Sequence, residues 1–180
     1  MRHLWGWVGL VLLGCGDDSS GGGSAAYDRD TKLDDLNRDQ GIAVCAEINA
    51  IAHNDAAYLD RLCTSVGALL GQSMPAKCMT ERDLCIAEKP PLCWPKGIGG
   101  GGRDAECQDA TVGMFMDCMR GSVRASKELY AGITCATPTA EVSKLAFDAL
   151  EMRADKPPVE CQAFKQACPA FFEPPDLDEP

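Results

Sequence analysis

The chain predicts an all-α fold, a small disulfide-stapled helical bundle of five or six helices preceded by a flexible Gly/Ser tether. Three observations predict it. Apolar residues recur at three- and four-residue steps through most of residues 42–168, the mark of helices with one buried face. Period-two alternation of β-branched residues, the mark of strands, is missing. The 11 cysteines are spaced so that several pairs share one helix face. Cys78–Cys85 and Cys161–Cys168 are seven apart and Cys107–Cys118 eleven, close to two and three whole turns at 3.6 residues per turn. Those pairs stand about 10 and 16 Å apart along a helix axis, too far to bond each other, so each cysteine must reach a neighbouring element.

The elements follow in order. Residues 28–40, "DRDTKLDDLNRDQ", are polar with alternating charge and read as a solvated helix or loop. A helix from Ile42 carries Cys45, Ile48 and Ala52 on one face. His53-Asn54-Asp55 is a break in which Asn54 ends one helix and Asp55 caps the next. Residues 56–71 form that next helix, through Tyr58, Leu59, Leu62, Cys63, Val66, Leu69 and Leu70. Ser73–Pro75 interrupts, and a short helix covers about 76–88. Residues 89–103 are too rich in proline and glycine for regular structure. A long helix is expected over about 104–131, with Cys107, Thr111, Met114, Phe115, Cys118, Ser122, Ala125 and Leu129 along one stripe. Another spans 139–153, Pro157-Pro158 ends it, and a last helix covers about 159–168. The acidic, proline-rich residues 173–180 form a loose tail.

The first residues address location. Leu4 to Leu13 is a ten-residue uncharged run behind Arg2 and His3. A spanning helix needs about 20 apolar residues, whereas ten suit the apolar region of an export signal. The run ends Leu12-Leu13-Gly14-Cys15, which resembles the lipobox of bacterial lipoproteins. The resemblance covers only residues 1–15. It implies that residues 1–14 are removed and that Cys15 becomes a lipidated first residue. Two or more acyl chains anchor stably where one does not. Cys15 and the Gly/Ser-rich stretch up to residue 27 then make a tether between bilayer and domain, because such composition cannot pack. The domain proper is expected over 28–172. The expected partner is the lipid bilayer, through acylated Cys15, with an envelope protein or external ligand beyond it. Gly16, where enteric bacteria use Asp to retain lipoproteins at the inner membrane, points to the outer membrane, on its periplasmic face or at the cell surface.

Composition narrows the rest. Loss of Arg2 leaves 16 basic residues against 27 acidic ones, a net charge of −11. That charge and a pI of about 4.6 argue against nucleic acid, whose phosphates need clustered Lys and Arg. Apart from Cys15, ten cysteines remain: Cys45, Cys63, Cys78, Cys85, Cys93, Cys107, Cys118, Cys135, Cys161 and Cys168. In an oxidising compartment they predict five disulfides, which offset a core poor in aromatics. Hundreds of connectivities are possible. Equal arms around a turn at Asn54 suggest Cys45–Cys63, and closure of the glycine loop suggests Cys93–Cys107.

Catalytic patterns are sparse, and no cofactor or catalytic residue is expected. His53 is the only histidine left after the signal, so nucleophilic triads have little to draw on. Its place at a helix end suits a cap on carbonyl oxygens. Cys-x-x-Cys is absent, which disfavours zinc, iron–sulfur and thioredoxin-like chemistry. Gly97–Arg103 lacks the strand and Lys-Ser/Thr of a phosphate loop. The paired acids of Thr80–Asp83 read as a solvated helix face rather than a two-carboxylate hydrolase. The nearest match to a binding motif is Asp35, Asn37, Asp39 and Glu47, similar to an EF-hand calcium loop with one residue inserted and Gln40 where glycine belongs. The competing reading makes Asp39 the cap of the helix at Ile42. The leading functional reading is therefore a binding or structural lipoprotein. The alternative is a calcium-dependent module or small secreted-type hydrolase built on the acidic cluster Asp35–Asp39.

Overall fold

A computed structural model describes residues 27–93, 107 and 109–172. Among them are six α-helices: α1 Arg38–His53, α2 Ala56–Leu70, α3 Pro75–Glu88, α4 Val112–Leu129, α5 Thr139–Asp155 and α6 Gln162–Ala167. Short 3-10 turns cover Leu33–Asp35, Val159–Cys161 and Pro169–Phe171. The only extended pairing among the described residues is one antiparallel bridge, Lys32 to Thr111. The all-α expectation holds. Cys15, the tether up to residue 26, the Gly97–Arg103 loop and residues 173–180 lie outside the described residues.

Most helix ends follow local chemistry. Asn54 closes α1, and the Asp55 side chain caps α2 by accepting the N–H of Tyr58 at 3.0 Å. Pro75 opens α3 at the one position where a missing N–H costs nothing. Two starts differ from expectation. α1 begins at Arg38, because Asn37 rather than Asp39 caps it. The Asn37 side chain accepts from Gln40 N at 2.9 Å and the Gln40 side chain accepts from Asn37 N at 3.0 Å, a reciprocal capping box. α4 begins at Val112 rather than near 104, because Ala110 and Thr111 just before it pair with Leu33 and Lys32. Cys107 therefore leaves the expected stripe. The buried face of α4 is Val112, Phe115, Met116, Cys118, Met119 and Val123, while Ala125 is exposed.

The polar run 28–40 is not wholly solvated. Leu33 and Leu36 are buried in the main core with Val44, Cys45 and Ile48 of α1 and Val112, Phe115, Met116 and Cys118 of α4. Phe164 and Phe172 close that core from the C-terminal side, with the Phe115 and Phe164 ring centroids 5.2 Å apart. A second cluster joins Ala68 of α2, Cys78 of α3, Ile133 of the loop after α4 and Val142 of α5.

Five disulfides form: Cys45–Cys93, Cys63–Cys85, Cys78–Cys135, Cys107–Cys168 and Cys118–Cys161. Both expected pairings are corrected. Cys63 bonds Cys85, not Cys45, because α2 makes its closest packing with α3. A Cβ on Gly67 would lie 2.5 Å from the Cys78 carbonyl oxygen, and one on Gly71 2.8 Å from Cys78 N. Only glycine at these two places lets the backbones approach that closely. Cys63 and Cys85 then stand at equal distances from Met74, so the equal-arm argument applies at the turn after α2 rather than at Asn54. Cys93 meets Cys45 instead of Cys107 because Asn49, one turn after Cys45, clamps the chain there. Its side-chain oxygen accepts from Leu92 N at 2.8 Å and from Cys93 N at 3.0 Å. Cys107 and Cys118 bond Cys168 and Cys161, so two bridges join the same two segments running in opposite directions.

Candidate functional site

Cys15, the lipidation site expected from the sequence, lies outside the described residues, and the described chain begins where the tether is expected to meet the domain. Tyr27 is the first described residue and already packs on the main core. Beyond it the chain lies along the start of α4 and completes that helix. An α-helix begins with backbone N–H groups that have no partner within it. In α4 the N–H groups of Val112, Gly113 and Met114 each find one. Val112 N donates to the Thr31 carbonyl at 2.9 Å and Gly113 N to that of Arg29 at 2.7 Å. Met114 N donates to the side chain of the N-cap, Thr111 Oγ1, at 3.3 Å, and the helix's own ladder starts with Phe115 N on the Thr111 carbonyl at 3.1 Å. Leu33 N in turn donates to the Ala110 carbonyl at 2.9 Å.

Side chains reinforce the junction. Arg29 reaches both carboxylate oxygens of Asp117 at 2.8 Å, and Arg120 bonds Asp117 at 3.0 Å and Glu47 at 3.4 Å. Tyr27 donates its hydroxyl to Glu47. Partial burial, that hydrogen bond and the carboxylate's charge push the Tyr27 phenol up to about 12. Lys32 pairs with Asp109 at 2.9 Å. Exposed pairs of this kind contribute little individually, so the main-chain bonds carry most of the docking.

The polar face of α4 continues as a row of cations, each meeting an acid from another element. Arg120 meets Glu47 of α1, Arg124 meets Glu160 beside α6, and Lys127 meets Asp55, the cap of α2, at 2.6 Å. Lys127 and the N–H of Tyr58 hold the Asp55 carboxyl below the usual carboxylate range. Arg124 does the same for Glu160. Glu160 lies over Gly121, where a Cβ would come 2.7 Å from its Oε2, which is buried without a hydrogen-bond partner. α4 is thus the hub to which the N-terminal segment, α1, α2 and the C-terminal segment attach.

The calcium-like residues are not gathered. Asp35 ends a 3-10 turn, Asn37 spends its side-chain oxygen on the α1 cap, and Asp39 lies in the first turn of α1. Glu47 lies two turns further and faces Tyr27 and Arg120. Among the described residues no group of three or more His, Cys, Asp or Glu side chains could hold a metal ion. His53 is at the last turn of α1, and its Nε2 meets the carbonyl of Pro90, in the segment after α3, at 3.2 Å, so it ties two elements together rather than capping the carbonyls of its own helix. Sequence reading missed Asn49 and the row Arg120, Arg124 and Lys127. The row is legible afterwards as cations at four- and three-residue steps, but its partners are remote in sequence. Among the described residues no helix is long and apolar enough to cross a membrane. No family model matches the chain, and no curated protein and no solved structure matches it either.

Proposed function

We propose that this protein is a membrane-anchored bacterial envelope lipoprotein whose disulfide-stapled helical domain acts as a binding or structural module. Leu12-Leu13-Gly14-Cys15 followed at once by a Gly/Ser-rich stretch carries the reading. The disulfide pattern supports it. All ten other cysteines are paired within the domain, which leaves Cys15 no intrachain partner and frees its sulfur for a lipid. Five bridges also suit an exported, oxidising setting. A tether that ends at Tyr27 transmits its load into α4, the helix that holds the other elements together. The anchor serves the outer membrane, and the domain works through its surface on an envelope protein or an external ligand.

The test is the intact mass of the membrane-extracted protein, with thiol alkylation before and after reduction. The expected result is a chain beginning at Cys15 with added acyl groups, no thiols labelled before reduction and ten after. A chain that begins elsewhere and carries no lipid overturns the anchor.

A further inference from the structure

Nine of the ten bridged cysteines are buried. The tenth, Cys135, is only partly covered, in the loop between α4 and α5. Its partner Cys78 is buried beneath it, in the first turn of α3. Side chains in a helix lean back towards its N-terminus. At that end Met74 offers no side-chain cap, so the positive end of the helix dipole is left to whatever lies near it. No other bridged cysteine lies in the first turn of an α-helix of eight or more residues. Two unrelated observations, the partial exposure of residue Cys135 and the helix placement of Cys78, therefore single out the same bridge.

We infer that Cys78–Cys135 is a site of thiol–disulfide exchange, opened by an external dithiol reductant while the other four bridges stay closed. A thiolate of the reductant attacks the Cys135 sulfur from solvent. The Cys78–Cys135 bond breaks, and Cys78 leaves inward as a thiolate that the α3 N-terminus stabilises and that then takes up a proton. A thiolate with a lowered pKa is the better leaving group. The reductant's second thiol attacks the mixed disulfide and releases Cys135 as a thiol. The reductant departs as a disulfide, and the domain has gained two electrons and two protons.

The opening acts on α5. That helix contains no cysteine and lies between the bridge points Cys135 and Cys161. Val142 and Leu145 hold it to Ala68, Leu69, Ile133 and Tyr130, with Thr139 Oγ1 donating to the Ala68 carbonyl at 3.4 Å. Release of Cys135 frees the leading end of α5 and bares this apolar cluster. The main core keeps its three bridges.

The experiment treats the purified full chain, lipidated or not, with rising concentrations of dithiothreitol under native conditions, then alkylates and maps the labelled peptides. Cys78 and Cys135 should be labelled at least tenfold faster than the other eight. First labelling of another pair, or of all ten together, overturns the inference. A second measurement reads the attacked sulfur. A thioredoxin lacking its resolving cysteine should be trapped on Cys135, with Cys78 free. An adduct on Cys78, or on a cysteine of another bridge, contradicts the mechanism. Neither measurement depends on the lipid, so their failure and that of the anchor are separate outcomes.

Discussion

The Arg29 carbonyl accepts the N–H of Gly113 at 2.7 Å, so the first residues of the domain cap a helix 84 positions further along the chain. A Cβ on Gly113 would lie 3.0 Å from that same carbonyl oxygen, which is why glycine stands there. Together with the bond from Val112 N to the Thr31 carbonyl, this contact docks the tether end onto the hub helix.

Main chain and side chain can be separated at this junction. Arg29→Ala removes a half-exposed, solvent-screened ion pair and should leave the denaturation midpoint nearly unchanged. Deleting residues 27–32 removes both carbonyl caps and should cost about 2 kcal/mol, near 1 for each lost bond. Guanidinium denaturation of the two variants checks the order. Equal losses would place the docking in the side chains instead.

Gly67 sets the spacing of α2 and α3. Gly67→Ala forces a methyl group against the Cys78 carbonyl, and overpacking of that kind costs about 1–3 kcal/mol. Gly132→Ala is the control. Nothing lies within 4 Å of its Cβ position, so it should be neutral or stabilising by up to about 1 kcal/mol. Thermal melts of both variants give the comparison.

Asp55 links stability to acid. Its carboxyl is held below the usual range by Lys127 and by the N–H of Tyr58. A lowered folded-state pKa gives stability that is full above the unfolded value, near 3.9, and lost as pH falls through the folded one. Asp55→Asn keeps a capping side chain but loses the charge. It should be less stable at pH 7 by about 0.5–1 kcal/mol and should lose less than the parent protein as pH drops below about 4. Urea midpoints measured from pH 7 to pH 2 test both points.

Tyr27 gives the opposite sign. Its phenol is pushed up to about 12, so its share of stability is complete below the ordinary tyrosine value near 10 and is lost as pH rises through 12. In Glu47→Gln the hydrogen-bonding carboxylate is gone, and the Tyr27 titration should move down towards 10. Phenolate absorbance, with Tyr27→Phe to assign the signal, reads it directly. An unchanged titration would assign the shift to burial alone.

Local features were legible wherever a few neighbouring residues decide the outcome. Asn54-Asp55 and Pro75 mark helix boundaries through their own side chains, and they stand where expected. Leu33 and Leu36 sit three apart in a charged run, a weak apolar signal that composition outweighed, yet both are core residues. Asn49 gave no local sign of its role, because its partners at Leu92 and Cys93 lie more than forty residues away.

The sequence by itself determined a helical, cysteine-rich chain, because turn chemistry and apolar periodicity act over a few residues. Tertiary structure decided which cysteines meet. Cys63 found Cys85 because Gly67 and Gly71 let two backbones close up, and Cys93 found Cys45 because Asn49 fastened a loop. It also decided where α4 starts, since two of the groups that cap it, the Thr31 and Arg29 carbonyls, come from the far end of the chain. Contacts between residues remote in sequence depend on how faces pack, and a helical pattern states only that a face exists.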